Sequence, residues 1–216
     1  CALPICLFLD VDPYSSVYNV SFNPADGTRA SVKYLYESGH REMAILAGPV
    51  SSVSANLRLR SWLDTLSSYG LKPVTVLHGN WDAQSGYACA LQMLRETPDF
   101  SAVLVGNDQM ALGVLSAFHQ HQVAIPGEKS VIGYDDTYES SFFYPALTTV
   151  SLDLDLQGKE AVRRILESDD NASSRTSSIL PARLVVRHST GAKVEQGKDM
   201  QAIAEQLRAI AHQLSR

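Results

Sequence analysis

Short runs of consecutive apolar residues alternate with longer amphipathic stretches along most of this chain, and that alternation narrows the fold more than any other feature. The runs Ile5–Leu9, Met43–Leu46, Val74–Leu77, Ala102–Val105, Ser130–Ile132, Thr149–Ser151 and Leu184–Val186 read as strands. Thr28–Ser38, Ala55–Tyr69, Ala83–Glu96, Met110–Gln120 and Gln157–Glu167 read as helices. Several strands are apolar and β-branched at successive positions, as burial on both faces of a parallel sheet requires. Alternation of this kind predicts a doubly wound α/β fold with right-handed crossovers. Ser38-Gly39 and Tyr69-Gly70 close two of the helices, and Pro126-Gly127 precedes a strand.

Composition places the chain among ordinary globular proteins and excludes some partners. Of 216 residues, 45% are hydrophobic and 19% charged, and the formal net charge is -5. Gripping phosphates takes clustered Lys and Arg, so this acidic piece is not expected to hold nucleic acid by itself. Cys1, Cys6 and Cys89 are odd in number and lack CxxC spacing, which argues against a disulfide framework or metal knuckle and for a reducing cytoplasm. No apolar run approaches the roughly 18 residues of a membrane span. The opening CALPICLFLDVD has neither a basic start nor a cleavage site, so it reads as a buried strand that begins abruptly rather than as a signal peptide.

Two segments stand apart. Ser168–Ser178 is polar and Ser-rich and reads as a surface loop. Residues 191–198 read as a linker to a final helix at 199–216, in which Met200, Ile203, Leu207, Ile210 and Leu214 form an a/d heptad seam. Such a helix can associate with other copies or pack back on its own domain; the narrow seam and polar tether favour association.

Ligands of open α/β sheets bind beyond the carboxyl ends of the strands. The exits here carry Asp10, then Gly48-Pro49 with Ser51, Ser52, Ser54 and Arg58, then Asn80-Trp81-Asp82, Asn107-Asp108-Gln109 and Tyr134-Asp135-Asp136. Planar Asp, Asn and Arg groups can each meet two neighbouring hydroxyls, and an aromatic face can cover the C–H face of a sugar ring. Singly, each has a plainer reading: Asp108 as a helix N-cap, Trp81 as core. Their convergence at one sheet edge is what suggests a carbohydrate pocket. No G-x-S-x-G, H-E-x-x-H, Walker or G-x-G-x-x-G motif occurs. His119 and His121 face apart on a helix, which argues against a metal site. Asp135-Asp136 lacks the partner acid that glycoside hydrolysis needs. Binding without catalysis, cofactor or metal is the expectation.

The segments LAGPVSSVSANLRLRSW, GNWDAQSGY, NDQMALG, VIGYDDTYESS and PALTTV, in this order, resemble the successive motifs of the lac repressor family, and the likeness continues into the heptad tail. The resemblance implies doubly wound sheets of the periplasmic-binding-protein-like type and a cytoplasmic, sugar-responsive repressor core. Asp10, Ser54, Arg58, Trp81, Asn107 and Asp135 match the family's inducer-contacting residues. Leu112 and the Phe142-Phe143-Tyr144 run fall at its dimer interface, although a core corner also suits the aromatic run. The tail matches the helix that joins dimers into tetramers. Galactoside-like inducers and homodimers or tetramers are thereby implied, and operator DNA only through a region absent from this chain. Residues 22–150 with 182–190 would form the second subdomain. Residues 1–21 with 154–181 would be a remnant of an incomplete first subdomain, whose exposed edge beside Ile5–Leu9 should invite pairing. One departure touches the site: Leu152-Asp153-Leu154 stands where the family carries Gln-Asp-Phe, which weakens the galactoside expectation. The rival reading is a transport receptor of the periplasmic sugar-binding type, which would have no use for a heptad tail.

Overall fold

A computed structural model describes residues 12–14, 19–166 and 177–193. The chain runs through β1 (Val20–Phe22), α1 (Pro24–Glu37), β2 (Met43–Ala47), α2 (Val53–Ser68), β3 (Thr75–His78), α3 (Ala83–Glu96) and β4 (Ala102–Val105). It continues through α4 (Asp108–Gln120), β5 (Ser130–Asp135), a 3-10 turn at Tyr138–Phe142, β6 (Thr148–Ser151), α5 (Leu154–Leu166), β7 (Ser178–Leu180) and β8 (Arg183–Val185). Six strands form one sheet in the order β3-β2-β4-β5-β6-β8, and β1 pairs with β7 in a small sheet of its own.

Burial on both faces explains why β2 and β4 are apolar at every position. Met43, Ile45 and Ala47 of β2, with Ala102, Leu104, Ile132 and Tyr134 of β4 and β5, pack on one face beneath α1 and α2. Ala44 and Leu46, with Val103, Val105 and Val131, pack on the other beneath α3 and α4. Successive side chains of a strand point to opposite faces, so neither face can go polar while helices cover both. Trp62 of α2 anchors the first layer, edge-on to Tyr134 at 6.4 Å, with its indole N–H donated to Ser31 Oγ at 3.2 Å.

The parallel sheet is as expected except at its edge, where β8 runs antiparallel to β6. The chain comes back to that edge from the small sheet, where β7 precedes β8 by two residues. Helices begin earlier than the periodicity predicts. Asn23 caps α1 with Pro24 as its first residue, and Ser52 caps α2. Strand β5 extends to Asp135, so that carboxylate ends the strand rather than following it. The β1 and β7 strands had no counterpart in the pattern. Phe22 pairs with Leu180 in the small sheet. Ile5–Leu9, most of the Ser-rich loop and the heptad tail lie outside the described residues.

Close approach of α3 and α4 depends on two glycines. A Cβ on Gly113 would lie 2.0 Å from the Ala83 carbonyl oxygen, and one on Gly86 would lie 2.1 Å from that of Met110. Glycine inside a helix costs about 1 kcal/mol against alanine, so its presence there needs a packing reason, and backbone contact supplies it. Gly113→Ala is therefore expected to destabilise the fold by about 2 kcal/mol despite its better helix propensity, lowering the urea midpoint, whereas Gln84→Ala at an exposed position of α3 leaves it unmoved.

Candidate functional site

Strand β2 lies between β3 and β4, so the winding direction reverses there and a crevice opens beyond the carboxyl ends of β2 and β4. Gly48 ends the first strand and Gly106 the second. A Cβ on Gly48 would lie 2.2 Å from the Trp81 ring, so glycine is what lets the indole lie across the strand end.

Arg58 occupies the centre of this edge. Its guanidinium lies 3.5 Å from the centroid of the Tyr134 ring and 5.8 Å from that of Trp81. One of its nitrogens donates to the Gly106 carbonyl, and another stands 3.8 Å from Asp135 Oδ1. A cation stacked on a buried ring and bonded to a backbone carbonyl has little freedom left, which suits a group that must hold a fixed direction. Beside it is a cavity of about 380 Å³. Ser54 and Arg58 of α2, Tyr134 and Asp135 of β5 and Thr137 just beyond it border the cavity, together with Ser21, Phe22 and Pro24 around β1 and Leu152, Leu154 and Gln157 around α5.

Asp135 keeps 34% of its side chain exposed yet stands among apolar neighbours. Burial pushes its pKa from 3.8 up to about 6; Arg58 acts against the rise and the Asp108 carboxylate adds to it. Its backbone is held at φ 110°, and Trp81 and Asp136 also have positive φ, at 72° and 57°. Side-chain-bearing residues adopt this region at a cost of order 1–3 kcal/mol and keep it only where neighbours enforce it. Here they do. Asn107 Nδ2 donates to the Trp81 carbonyl at 2.9 Å, and Arg187 grips Asp136 at 2.6 Å.

Of the expected site residues, Ser54, Arg58 and Asp135 border one cavity; Trp81 is not in its lining, and its ring centroid lies 5.8 Å from the Arg58 guanidinium. Trp81 packs partly buried against the core, as its plainer reading has it. Asn107 is buried and serves as the N-cap of α4, its Oδ1 accepting from the Met110 N–H at 2.9 Å. The cap expected at Asp108 therefore belongs to Asn107. Asp108 is instead the first helical residue, and its carboxylate turns away to Thr149 and Thr137. Asp10, Met200, Ile203, Leu207, Ile210 and Leu214 lie outside the described residues. Leu112, Phe142 and Tyr144 are exposed, at 37%, 72% and 90%, whereas Phe143 packs partly into the core beside Leu147, the corner that the aromatic run also allowed. Sequence reasoning listed Tyr134 at a strand exit without giving it a site role, and missed Thr137 and Gln157. Tyr134 was legible as the last inward residue of the VIGY run; the other two carry no local signal.

A family model described as a periplasmic binding protein-like domain matches residues 32–190. The lactose operon repressor of Klebsiella pneumoniae is 46% identical over 209 residues, which cover 97% of this chain and 59% of that protein. The crystal structure of a lac repressor dimer bound to operator and the anti-inducer ONPF superimposes with a TM-score of 0.84 at 39% identity, over 88% of this chain and 66% of that one. A dimeric lac repressor with an 11-residue carboxy-terminal deletion gives 0.83 at 40% identity, over 87% and 69%.

The raised pKa makes a stability prediction. A carboxyl whose folded pKa lies above its unfolded value of 3.8 stabilises the fold fully below that value and loses this contribution as pH rises through about 6. Asp135→Asn removes the loss, so the variant should gain on the unchanged protein between pH 4 and pH 7, by about 1 kcal/mol once solvent screening is allowed for. Thermal unfolding across that range measures it; a difference that does not grow with pH contradicts it.

Proposed function

The chain belongs to the periplasmic binding protein-like family, among the lac repressors, and from that membership we propose that it is the inducer-sensing core of a sugar-responsive transcriptional repressor. The observation that carries this reading is the meeting of Arg58, Asp135 and Ser54 around one cavity at the switch point of the sheet. The chain spans 59% of the length of the Klebsiella relative and 58% of its Escherichia coli counterpart, so the whole protein's activity is part of the proposal.

Chemically, the site suits a polyol. Asp135 accepts from two adjacent hydroxyls, the fixed Arg58 fork donates to the same ring from the other side, and Trp81 offers a face to its C–H groups. Asp10 would add a further acceptor. Leu152 and Leu154 border the cavity with no hydrogen-bonding group, so selection among sugars falls to the polar set. Galactosides follow from what the relatives bind rather than from Leu152 and Leu154. We assign β1, β7 and α5 to one subdomain and the six-stranded sheet to another, so a ligand between Gln157 and Arg58 bridges both and shifts the balance between two arrangements. Catalysis is not part of the reading, because Asp136, the nearest second carboxylate in sequence, is tied to Arg187. The exposed Leu112, Phe142 and Tyr144 would meet a second copy, and the heptad seam from Met200 to Leu214 would join dimers in the cytoplasm. Operator DNA would be held by other segments, given the net charge of -5.

Calorimetric titration with ONPF, galactosides and glucosides tests the site. Heat of binding is expected with at least one, weakened tenfold or more in Asp135→Ala. Affinity should fall as pH drops through about 6, because protonation removes the acceptor. No heat with any sugar overturns the reading. For assembly, light scattering should show a smaller mass after residues 199–216 are deleted; a monomer before and after favours a transport receptor.

A further inference from the structure

We propose that Asp108 is a positioning residue for the ligand site: its buried carboxylate holds the turn Asp135–Thr137 in the shape that offers Asp135 to a sugar. This deepens the sugar-binding reading above and rests on it.

The geometry is specific. Asp108 is wholly buried at the start of α4. Its Oδ1 accepts from the Thr149 hydroxyl at 2.6 Å, and its Oδ2 accepts from the Thr137 backbone N–H at 2.9 Å and the Thr137 hydroxyl at 3.4 Å. Among the described residues no basic side chain pairs with it. A buried carboxylate without a cation is costly, and the hydrogen bonds from Thr149 and Thr137 offset that cost only in part. Burial indeed pushes its pKa up. Helix capping does not explain its presence, since Asn107 does that work.

The strand beneath makes room for it. A Cβ on Gly133 would lie 2.4 Å from Asp108 Oδ1, so β5 carries glycine where the carboxylate crosses it. Two residues later the backbone enters the left-handed region at Asp135 and Asp136. Thr137 N–H is the first amide after that excursion, and Asp108 takes it. The turn is thus pinned at two points: at Thr137 by Asp108 from α4, and at Asp136 by Arg187, which also donates to the Leu147 carbonyl at 2.8 Å and to Ser140 Oγ at 3.2 Å. Between the pins, Asp135 is left to face the cavity.

The groups that face Asp135 are Arg58 from α2 and Asp108 from α4, of opposite sign. Removing the Asp108 charge should therefore lower the pKa of Asp135, an effect that a purely steric support would not produce.

Asp108→Asn in the full chain is the test, with three readouts. In carbon-13 NMR without ligand, the carboxyl titration of Asp135 should start near the value of about 6 and shift downward in the variant. The Thr137 amide proton should move upfield as its charged acceptor is lost. At pH 8, where Asp135 is ionised in both proteins, ONPF affinity should fall about tenfold. If Asp108→Asn does not fold, Thr149→Val keeps both charges, lies outside the cavity lining and is expected to weaken ONPF about threefold. Unchanged affinity in the variant that folds, or an unmoved Thr137 amide in Asp108→Asn, overturns the proposal. Absence of ONPF binding by the unchanged protein counts against the sugar reading, and the NMR readouts then judge the turn by themselves.

Discussion

The guanidinium of Arg58 lies on the Tyr134 ring, bonds the carbonyl of Gly106, faces Asp135 and approaches Trp81. These partners belong to β5, to the exit of β4 and to the exit of β3. One cation thus ties together strand ends that the sheet alone would leave as separate loops. Burial of a charge in such a place is unfavourable unless its donors are used and its field is answered. Stacking on Tyr134, the Gly106 carbonyl and the nearby Asp135 carboxylate supply that answer without consuming the whole fork. What remains is a rigid, partly satisfied donor at the edge of a cavity, which is the state a ligand-binding arginine needs.

Small residues set the space in which this happens. Gly48 admits the Trp81 ring, and Gly106 comes so close to Gly48 that a Cβ there would lie 3.1 Å from the Gly48 nitrogen. The indole can then reach both the core and the neighbourhood of Arg58. Position in the chain could not tell core from site for a lone tryptophan after a strand, because one ring both packs against the core and lies near Arg58.

Much of this was legible in the sequence because burial on both faces leaves a strong mark. The strands Met43–Ala47 and Ala102–Val105 were found almost to the residue, since each position packs under a helix. Arg58, Ser54 and Asp135 were legible as polar groups at strand exits. Val20–Phe22 and Ser178–Leu180 were not. Three-residue strands leave no period to read, and each finds its partner about 158 positions along the chain, a separation visible in the Asn19–Ser177 bond that continues the ladder. The start of α4 was misread for a different reason. Asn107 and Asp108 are both good caps, and only the tertiary position of Thr149 and Thr137 decides which of them turns inward.

Asp135 and Asp136 show how far identical chemistry can diverge within one turn. Asp136 is held by Arg187 at 2.6 Å and is spent on structure. Among the described residues the ion-pair contact of Asp135 is the looser one, to Arg58 at 3.8 Å, and burial raises its pKa to about 6, so its ionised form is the less satisfied of the two. A group kept short of partners gains most from a ligand that brings hydroxyls. The left-handed backbone at both residues is what sends the two carboxylates to different partners, and it lies directly before the 3-10 turn that carries the exposed Tyr138 and Phe142, whose rings lie 5.4 Å apart. Only a few residues, held by Asp108 at Thr137 and by Arg187 at Asp136, separate Asp135 from that aromatic surface.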